Sequence, residues 1–377
     1  MAVNIVIAPD SFKGSLSAAQ ASECIERGVK SVTDCNVIKI PMADGGEGTV
    51  EAMAHTLGGE LVSVKVAGPL GDDVIATYCL AGEVAVIEMA AASGITLISK
   101  DRLNAAATST FGTGQLIIDA ISRGCKKIIL GIGGSATNDG GSGMAEALGV
   151  RFLDACGKEI SACGGELGRV ETIDISNLDP RVSGVEFLVA CDVTNTLCGK
   201  NGASYVFGPQ KGADENTVKM LDANLAHYAE KIKDQLGKDV LSLSGGGAAG
   251  GLGAGLYAFC GAVLKNGFDI ISETVGLAEK IGGADLVITG EGRTDYQTAF
   301  GKLPCGVAKT ARVNGVPCIL ISGAIEGDIS PLYDNGICAA FAAVTSVVSL
   351  DDAIKSAAQN LERAAANAMR AVLMSKN

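Results

Sequence analysis

Five short segments combine Asp with Gly, Ser or Thr in a pattern that could do chemistry: Pro9-Asp10-Ser11-Phe12-Lys13-Gly14-Ser15, residues 41–49 (PMADGGEGT), residues 131–141 (GIGGSATNDGG), Cys191-Asp192-Val193-Thr194-Asn195 and residues 290–295 (GEGRTD). Together the residue types point to phosphate and Mg2+ chemistry. Glycine-rich turns present backbone N–H groups to phosphate oxygens, and a following helix N-terminus adds its dipole. Carboxylates hold Mg2+, with waters and phosphates completing its octahedron. A Lys or Arg neutralises charge on a transferred phosphoryl group, and an Asp can accept a hydroxyl proton. No loop contains histidine, which argues against a His base or a Ser-His-Asp triad.

Taken singly, each feature has a plainer explanation. An Asp after a strand often caps a helix or forms a turn. Lys13 alone would be a solvated surface cation, and Gly46 or Gly134 alone a turn residue. Recurrence is what carries the reading, because all five segments follow apolar, strand-like runs. The carboxyl edge of a parallel sheet is where open α/β folds bind ligands.

The elements that must position these loops read as follows. Residues 3–8 form a buried strand, Ser17 opens an amphipathic helix, residues 37–40 form a second strand and residues 49–57 a second helix. This βαβα start predicts parallel strands with helices on both faces. Residues 61–66, 74–80 and 84–89 read as an antiparallel patch, with a domain boundary near Gly68-Pro69. The βα rhythm returns with a helix over 115–123, a strand over 127–131 and a helix over 143–148. Residues 154–184 are polar and turn-rich. A strand over 186–190 and a charged helix near 214–235 follow. The last third reads as strands at 286–289, 318–321 and 339–344, a helix near 305–314 and a closing helix over 351–373. No repeat at a fixed period is visible.

Composition narrows the class. The chain of 377 residues holds 51 glycines, nearly twice the usual share of about 7%, yet only 8 prolines and no Gly-X-Y period. Disorder and collagen are thereby set aside, and the glycines belong to turns or close backbone approaches in a folded protein. Many sit in the strand-end loops, but others cluster over 245–255, where helix packing and ligand contact are both open. A net charge of −12 without any basic stripe argues against nucleic-acid binding. The 12 cysteines include no CxxC pair, which fits reduced thiols in a cytoplasmic protein. Residues 240–264 carry no charge over 25 positions but include eight glycines, so they read as a buried loop and helix and not as a membrane span.

Two named motifs fail. Walker A is absent, since neither Gly199-Lys200 nor Gly301-Lys302 precedes Ser or Thr. Residues 245–250 contain GxGxxG, but Asp269 precedes an apolar pair where a dinucleotide site wants an acid at a strand end.

The segments Ala8–Gly14, Met42–Thr49, 131–141, 201–212 (NGASYVFGPQKG) and 289–301 (TGEGRTDYQTAFG) resemble the bacterial glycerate kinases that use ATP. The likeness runs in order from residue 3 to about residue 345. It implies an α/β protein of two α/β domains: a flavodoxin-like parallel three-layer domain (residues 1–68 and 285–377) interrupted by a second inserted α/β domain (69–284), with the active-site cleft between them. It also implies phosphorylation of D-glycerate, usually to 2-phosphoglycerate. Thr196, where the family commonly has Pro, and Tyr296, where a smaller residue is usual, depart from the pattern.

On this reading Asp192 or Asp295 takes the hydroxyl proton, with Lys13 and Arg293 completing the catalytic set. Gly133, Gly134, Ser135, Asn138, Asp139 and Gly140 would hold the nucleotide phosphates. Asp10, Ser11, Asp44, Gly45, Gly46, Glu47 and Lys302 would contact substrate, with Asp44, Glu47 or Asp139 near Mg2+. The expected cofactors are ATP and Mg2+, and the expected partner is a small molecule, with no nucleic acid and no membrane. Two alternatives remain: a kinase of another small hydroxy acid or polyol, and a non-catalytic two-lobe binding protein.

Overall fold

In the computed structural model, which describes residues 3–374, strands and helices alternate along most of the chain. The strands are β1 (Val3–Ile7), β2 (Cys35–Lys39), β3 (Glu60–Ala67), β4 (Asp73–Ala81), β5 (Val84–Glu88), β6 (Lys127–Gly131), β7 (Arg151–Leu153), β8 (Thr172–Asp174), β9 (Glu186–Ala190), β10 (Val263–Lys265), β11 (Leu286–Thr294), β12 (Cys318–Ile325) and β13 (Ile337–Ala342). Two compact units result. One takes residues up to Asp44, Glu51–Gly58 and the chain from Ile271 on; the other takes Gly45–Val50 and Gly59–Ile270.

The first unit is a five-stranded sheet in the order β13-β12-β11-β1-β2, parallel at every pairing. Read from β2 it is the 2-1-3-4-5 order of flavodoxin-like folds, whose switch point lies between β1 and β11. Ile5, Val6 and Ile7 are fully buried, as expected of a central parallel strand covered on both faces. Register is fixed on both sides: Ile5 lies opposite Val37 and Leu286. Ser17 starts the first helix, Ala18–Lys30. Its hydroxyl accepts from Gln20 N while Gln20 returns a bond to Ser17 N, which satisfies two orphan donors.

The second unit is a six-stranded mixed sheet, β10-β9-β6-β5-β4-β3. The strands β5, β6, β9 and β10 are parallel, while β3, β4 and β5 pair antiparallel. The sequence placed a boundary at Gly68-Pro69, but that dipeptide lies in the β3–β4 hairpin turn, where Gly68 N–H donates to Asp72 O at 2.6 Å. Hydrogen bonding along β3 therefore moves the division upstream, to residues 58 and 59. The segment over 154–184 is indeed loop-rich, though β7 and β8 pair across it and bury Phe152 and Ile173. The closing helix is split at Ser356 into Leu350–Lys355 and Ala357–Met374.

The uncharged stretch over 240–264 forms no strand at its start. Its helix, Ala248–Cys260, is kinked by left-handed backbone at Ala249, Gly250 and Gly251, and no described helix is long and apolar enough to cross a membrane.

Candidate active site

In the first unit the loop after β1 is tied across the switch point, since Asp10 N–H donates to Gly290 O at 2.8 Å. In Gly290-Glu291-Gly292 close approach requires the first glycine and crowds the second. A Cβ on Gly290 would stand 2.3 Å from Ile321 O, and one on Gly292 would stand 3.2 Å from Lys13 N. Between them Glu291 is 7% exposed, and its Oε1 accepts from the Thr294 and Thr298 hydroxyls, each at 2.8 Å. Burial raises its proton affinity and the two hydroxyls work against that rise.

Asp10 is half-buried and its carboxyl is pushed up to about 7. Burial is the largest cause, followed by the charge of Asp44, with Glu291 adding to it. The Ser11 N–H, donating to Asp10 Oδ1 at 2.6 Å, opposes the rise. Asp44 and Glu291 therefore both set negative charge against the Asp10 carboxyl beside the switch point. Sequence reasoning missed Glu291, although it lies inside a segment that was singled out.

The remaining first-unit candidates divide between exposed and committed groups. Lys13 and Arg293 are exposed, and Arg293 is ion-paired with Glu326. Asp295 caps the turn Tyr296–Phe300 by accepting from Gln297 N at 2.9 Å, and Lys302 Nζ lies 3.2 Å from its Oδ1. The Lys302 hydrogen bond is the main reason its carboxyl lies below the usual range.

In the second unit the turn Gly45–Gly48 lies against the carboxyl ends of β6 and β9. Gly45 has φ +90°, and a Cβ there would stand 2.3 Å from Ala190 Cβ. A Cβ on Gly131 would stand 2.2 Å from Gly45 O. Gly46 is half-buried and Glu47 is exposed. Asp192 is exposed, and its Oδ1 accepts from Asn266 Nδ2 at 2.7 Å and Gly267 N at 2.9 Å.

The loop over 132–141 has two distinct parts. Gly133 and Gly134 are exposed and Ser135 is 8% exposed. The N–H groups of these three residues are used by none of the hydrogen bonds among the described residues. Gly134 has φ +72°, the left-handed conformation that turns successive N–H groups toward one side as an anion nest. Beyond this rim the loop is sealed. Asn138 is fully buried and donates to Ser204 Oγ at 2.9 Å.

Asp139 corrects the sequence reading. It is fully buried, and its Oδ2 accepts from Thr110 N at 2.7 Å, Thr110 Oγ1 at 2.8 Å and Gly143 N at 3.2 Å, while Gly141 N donates to Oδ1 at 3.2 Å. These donors belong to the starts of the helices Phe111–Ser122 and Ser142–Ala147. The carboxylate thus occupies the helix ends that had been expected to serve phosphate, and it is not offered to Mg2+. Gly140 (φ +63°) is sealed with it, because the glycines of 245–255 pack on this part of the loop. A Cβ on Gly250 would stand 2.0 Å from Thr137 O, and one on Gly255 would stand 2.6 Å from Gly140 O. The cluster that composition left open is therefore backbone-on-backbone packing.

Lys211 lies in the 201–212 segment, where nothing in the sequence singles it out for a role. It is 1% exposed and donates from Nζ to Ser135 Oγ at 2.7 Å and to Thr137 O at 2.6 Å. Burial pulls its ammonium down to about 7, and Asp139 opposes that fall.

No described group of three His, Cys, Asp or Glu side chains is arranged to hold a metal by itself. An open site fits better: Mg2+ takes one or two carboxylates and completes its shell with water and substrate phosphates. Asp44, exposed and close enough to Asp10 to raise its proton affinity, has the character of such a ligand.

Comparison with known proteins extends over the whole chain. The model of the glycerate kinase family matches residues 5–373. The glycerate kinase of Halalkalibacterium halodurans is 52% identical over 96% of both chains, and the glycerate 2-kinase of Escherichia coli is 49% identical over 97% of both. The crystal structure of a Salmonella typhimurium LT2 protein described as a glycerate kinase 2 superposes with a TM-score of 0.92 at 47% identity, covering 100% of each chain.

Proposed function

The chain belongs to the glycerate kinase family, and on that premise we propose that it transfers the γ-phosphoryl group of ATP to D-glycerate, giving 2-phosphoglycerate. The full-length likeness to glycerate kinases carries the reaction class. The 2-position follows the E. coli relative, whose name is glycerate 2-kinase.

The geometry supports a division of labour. The Gly133–Ser135 rim, with its three unspent N–H groups, suits nucleotide phosphate oxygens. Asp44 and Glu47, both exposed, would hold Mg2+, which would neutralise charge on the transferred phosphoryl group. Among the carboxylates, Asp10 best suits the hydroxyl proton, because a base is most effective when its pKa lies near working pH. Asp295 is held ionised by Lys302, and Asp192 Oδ1 already takes two donors, so both suit positioning better than proton transfer. Lys13, Lys302 and Arg293 would meet the glycerate carboxylate and the phosphoryl charge. Ser11 fixes Asp10, and Gly45 and Gly46 shape the turn that carries Glu47.

Incubation with D-glycerate and Mg-ATP should release ADP, and phosphorus and carbon NMR of the product should place phosphate on carbon 2. Phosphate on carbon 3 would refute the regiochemistry. ADP release with another hydroxy acid or a polyol but not with D-glycerate would refute the substrate.

A further inference from the structure

We propose that Lys211 is a positioning residue that acts through the Ser135 hydroxyl to ready the Gly133–Ser135 rim for a nucleotide phosphate. The proposal rests on the rim's assignment to the nucleotide given above.

A buried lysine is costly to a fold unless its donors are used. Lys211 is fully enclosed, and it donates to two acceptors on one stretch of the phosphate-rim loop, Ser135 Oγ and Thr137 O. An ammonium can only donate, so Ser135 Oγ must accept from it. The hydroxyl's own proton is then free to be given elsewhere, and none of the hydrogen bonds among the described residues uses it. Three consecutive residues therefore carry four unspent donors: the N–H groups of Gly133, Gly134 and Ser135, and the Ser135 O–H. When protonated, Lys211 places a cation one hydroxyl behind them, and the bond its ammonium donates to Ser135 Oγ polarises that hydroxyl toward stronger donation. Asp139 fixes the far end of the same loop through backbone donors, so Lys211 and Asp139 together hold the stretch that follows the rim. Lys211 itself sits on the short turn Pro209–Lys211, closed by Gly212 at φ +89°, whose Cβ would stand 2.5 Å from Leu103 O. That turn leaves the lysine little freedom to withdraw.

The test is a double-mutant cycle of Ser135→Ala and Lys211→Met, read by steady-state kinetics with each substrate varied in turn. Ser135→Ala should raise the KM for ATP about tenfold, the usual effect of one lost hydrogen bond to a charged group, and leave the KM for D-glycerate within about twofold. Lys211→Met should do the same in the Ser135 background and change the ATP KM less than about twofold in the Ser135→Ala background, because the relay is already gone. An equal effect of Lys211→Met in both backgrounds, or none in either, overturns the relay while leaving the rim's assignment standing. An unchanged ATP KM in Ser135→Ala overturns the rim's assignment, and the relay with it. If Lys211→Met fails to fold by circular dichroism, Lys211→Arg replaces it as another donor-only cation. It should keep the ATP KM within about threefold of wild type, and a tenfold rise common to both backgrounds overturns the proposal.

Discussion

Replacing Gly255 by alanine sets two physical effects of opposite sign against each other. Gly255 lies inside the helix Ala248–Cys260 with ordinary helical backbone. Propensity alone says that alanine should stabilise the protein by about 1 kcal/mol. The packing says otherwise. The new methyl would stand 2.6 Å from Gly140 O and 2.8 Å from Gly141 Cα. Carbon atoms pack best at about 3.5–4.0 Å, so the second contact is short by roughly 0.7 Å or more. Both obstacles are backbone, and the loop they belong to is pinned by Asp139, so no side chain can swing aside. Overpacking of this kind costs about 1–3 kcal/mol, and a rigid neighbour puts the cost in the upper half. The net expectation is a loss of about 1–2 kcal/mol, which lowers the midpoint by about 2–8 °C for a unit of this size. Differential scanning calorimetry reads it directly. Gly184→Ala is the control, because nothing lies within 4 Å of a Cβ there and its φ is not positive; it should be neutral or slightly stabilising. A Gly255→Ala protein that melts at or above wild type would show that helix and loop are not in the contact described, and the account of the glycine cluster would fall.

Asp139→Ala should lower stability by more than about 3 kcal/mol, since four buried donors lose their acceptor at about 1–3 kcal/mol each; a urea midpoint equal to wild type with a raised Mg2+ requirement would restore Asp139 as a metal ligand. Asp10→Asn removes a carboxyl whose proton affinity rises from 3.8 to about 7 on folding. A raised group favours the folded state fully below its unfolded value and loses that contribution as pH climbs through the folded one. Asp10→Asn should therefore match wild type near pH 4 and exceed it at pH 8 by about 2–4 kcal/mol. In wild type kcat/KM should rise with pH through about 7 as the base ionises, and Asp10→Asn should abolish turnover; retained turnover with an unaltered pH limb would remove Asp10 as the base. Asp44→Ala should raise the Mg2+ concentration for half-maximal rate by about tenfold at fixed ATP, roughly the loss of one charge-assisted contact; an unchanged value would clear Asp44 of metal binding.

What the sequence made legible was placement. Apolar runs followed by Asp- and Gly-rich segments located β1, β2, β6 and β9 within a few residues and the start of β11, which runs on to Thr294 where a loop was expected, and Ser17 marked the helix start it caps. What it hid was orientation in depth. Asn138 and Asp139 belong to the same loop as Gly133 and have the same polar character, yet they face inward, because the acceptors that decide this lie at Thr110 and Ser204, far off in sequence. Lys211 was hidden for the same reason, since a lone lysine in a loop reads as solvated until its partners at 135 and 137 are brought to it. The glycines over 245–255 spoke only to backbone freedom, and the surface they press against is likewise distant in the chain.

The strand order of the first unit also governs when that unit can exist. The strand β1 is paired on one side with β2, which follows closely, and on the other with β11, where Ile5 meets Leu286. At a synthesis rate of about 5–20 residues per second, the 281 residues from Val6 through Leu286 take roughly 15–55 s to make. Throughout that interval Ile5-Val6-Ile7 is on the ribosome without its inner neighbour, whereas the sheet of Gly59–Ile270 receives its last strand, β10, at residue 265, before β11 is made. The second unit can thus mature during translation and the first only near its end. A nascent chain stalled near residue 275 should be protease-resistant in the middle and cleavable toward its start, which ties the yield of folded enzyme to how well that apolar strand is shielded while it waits.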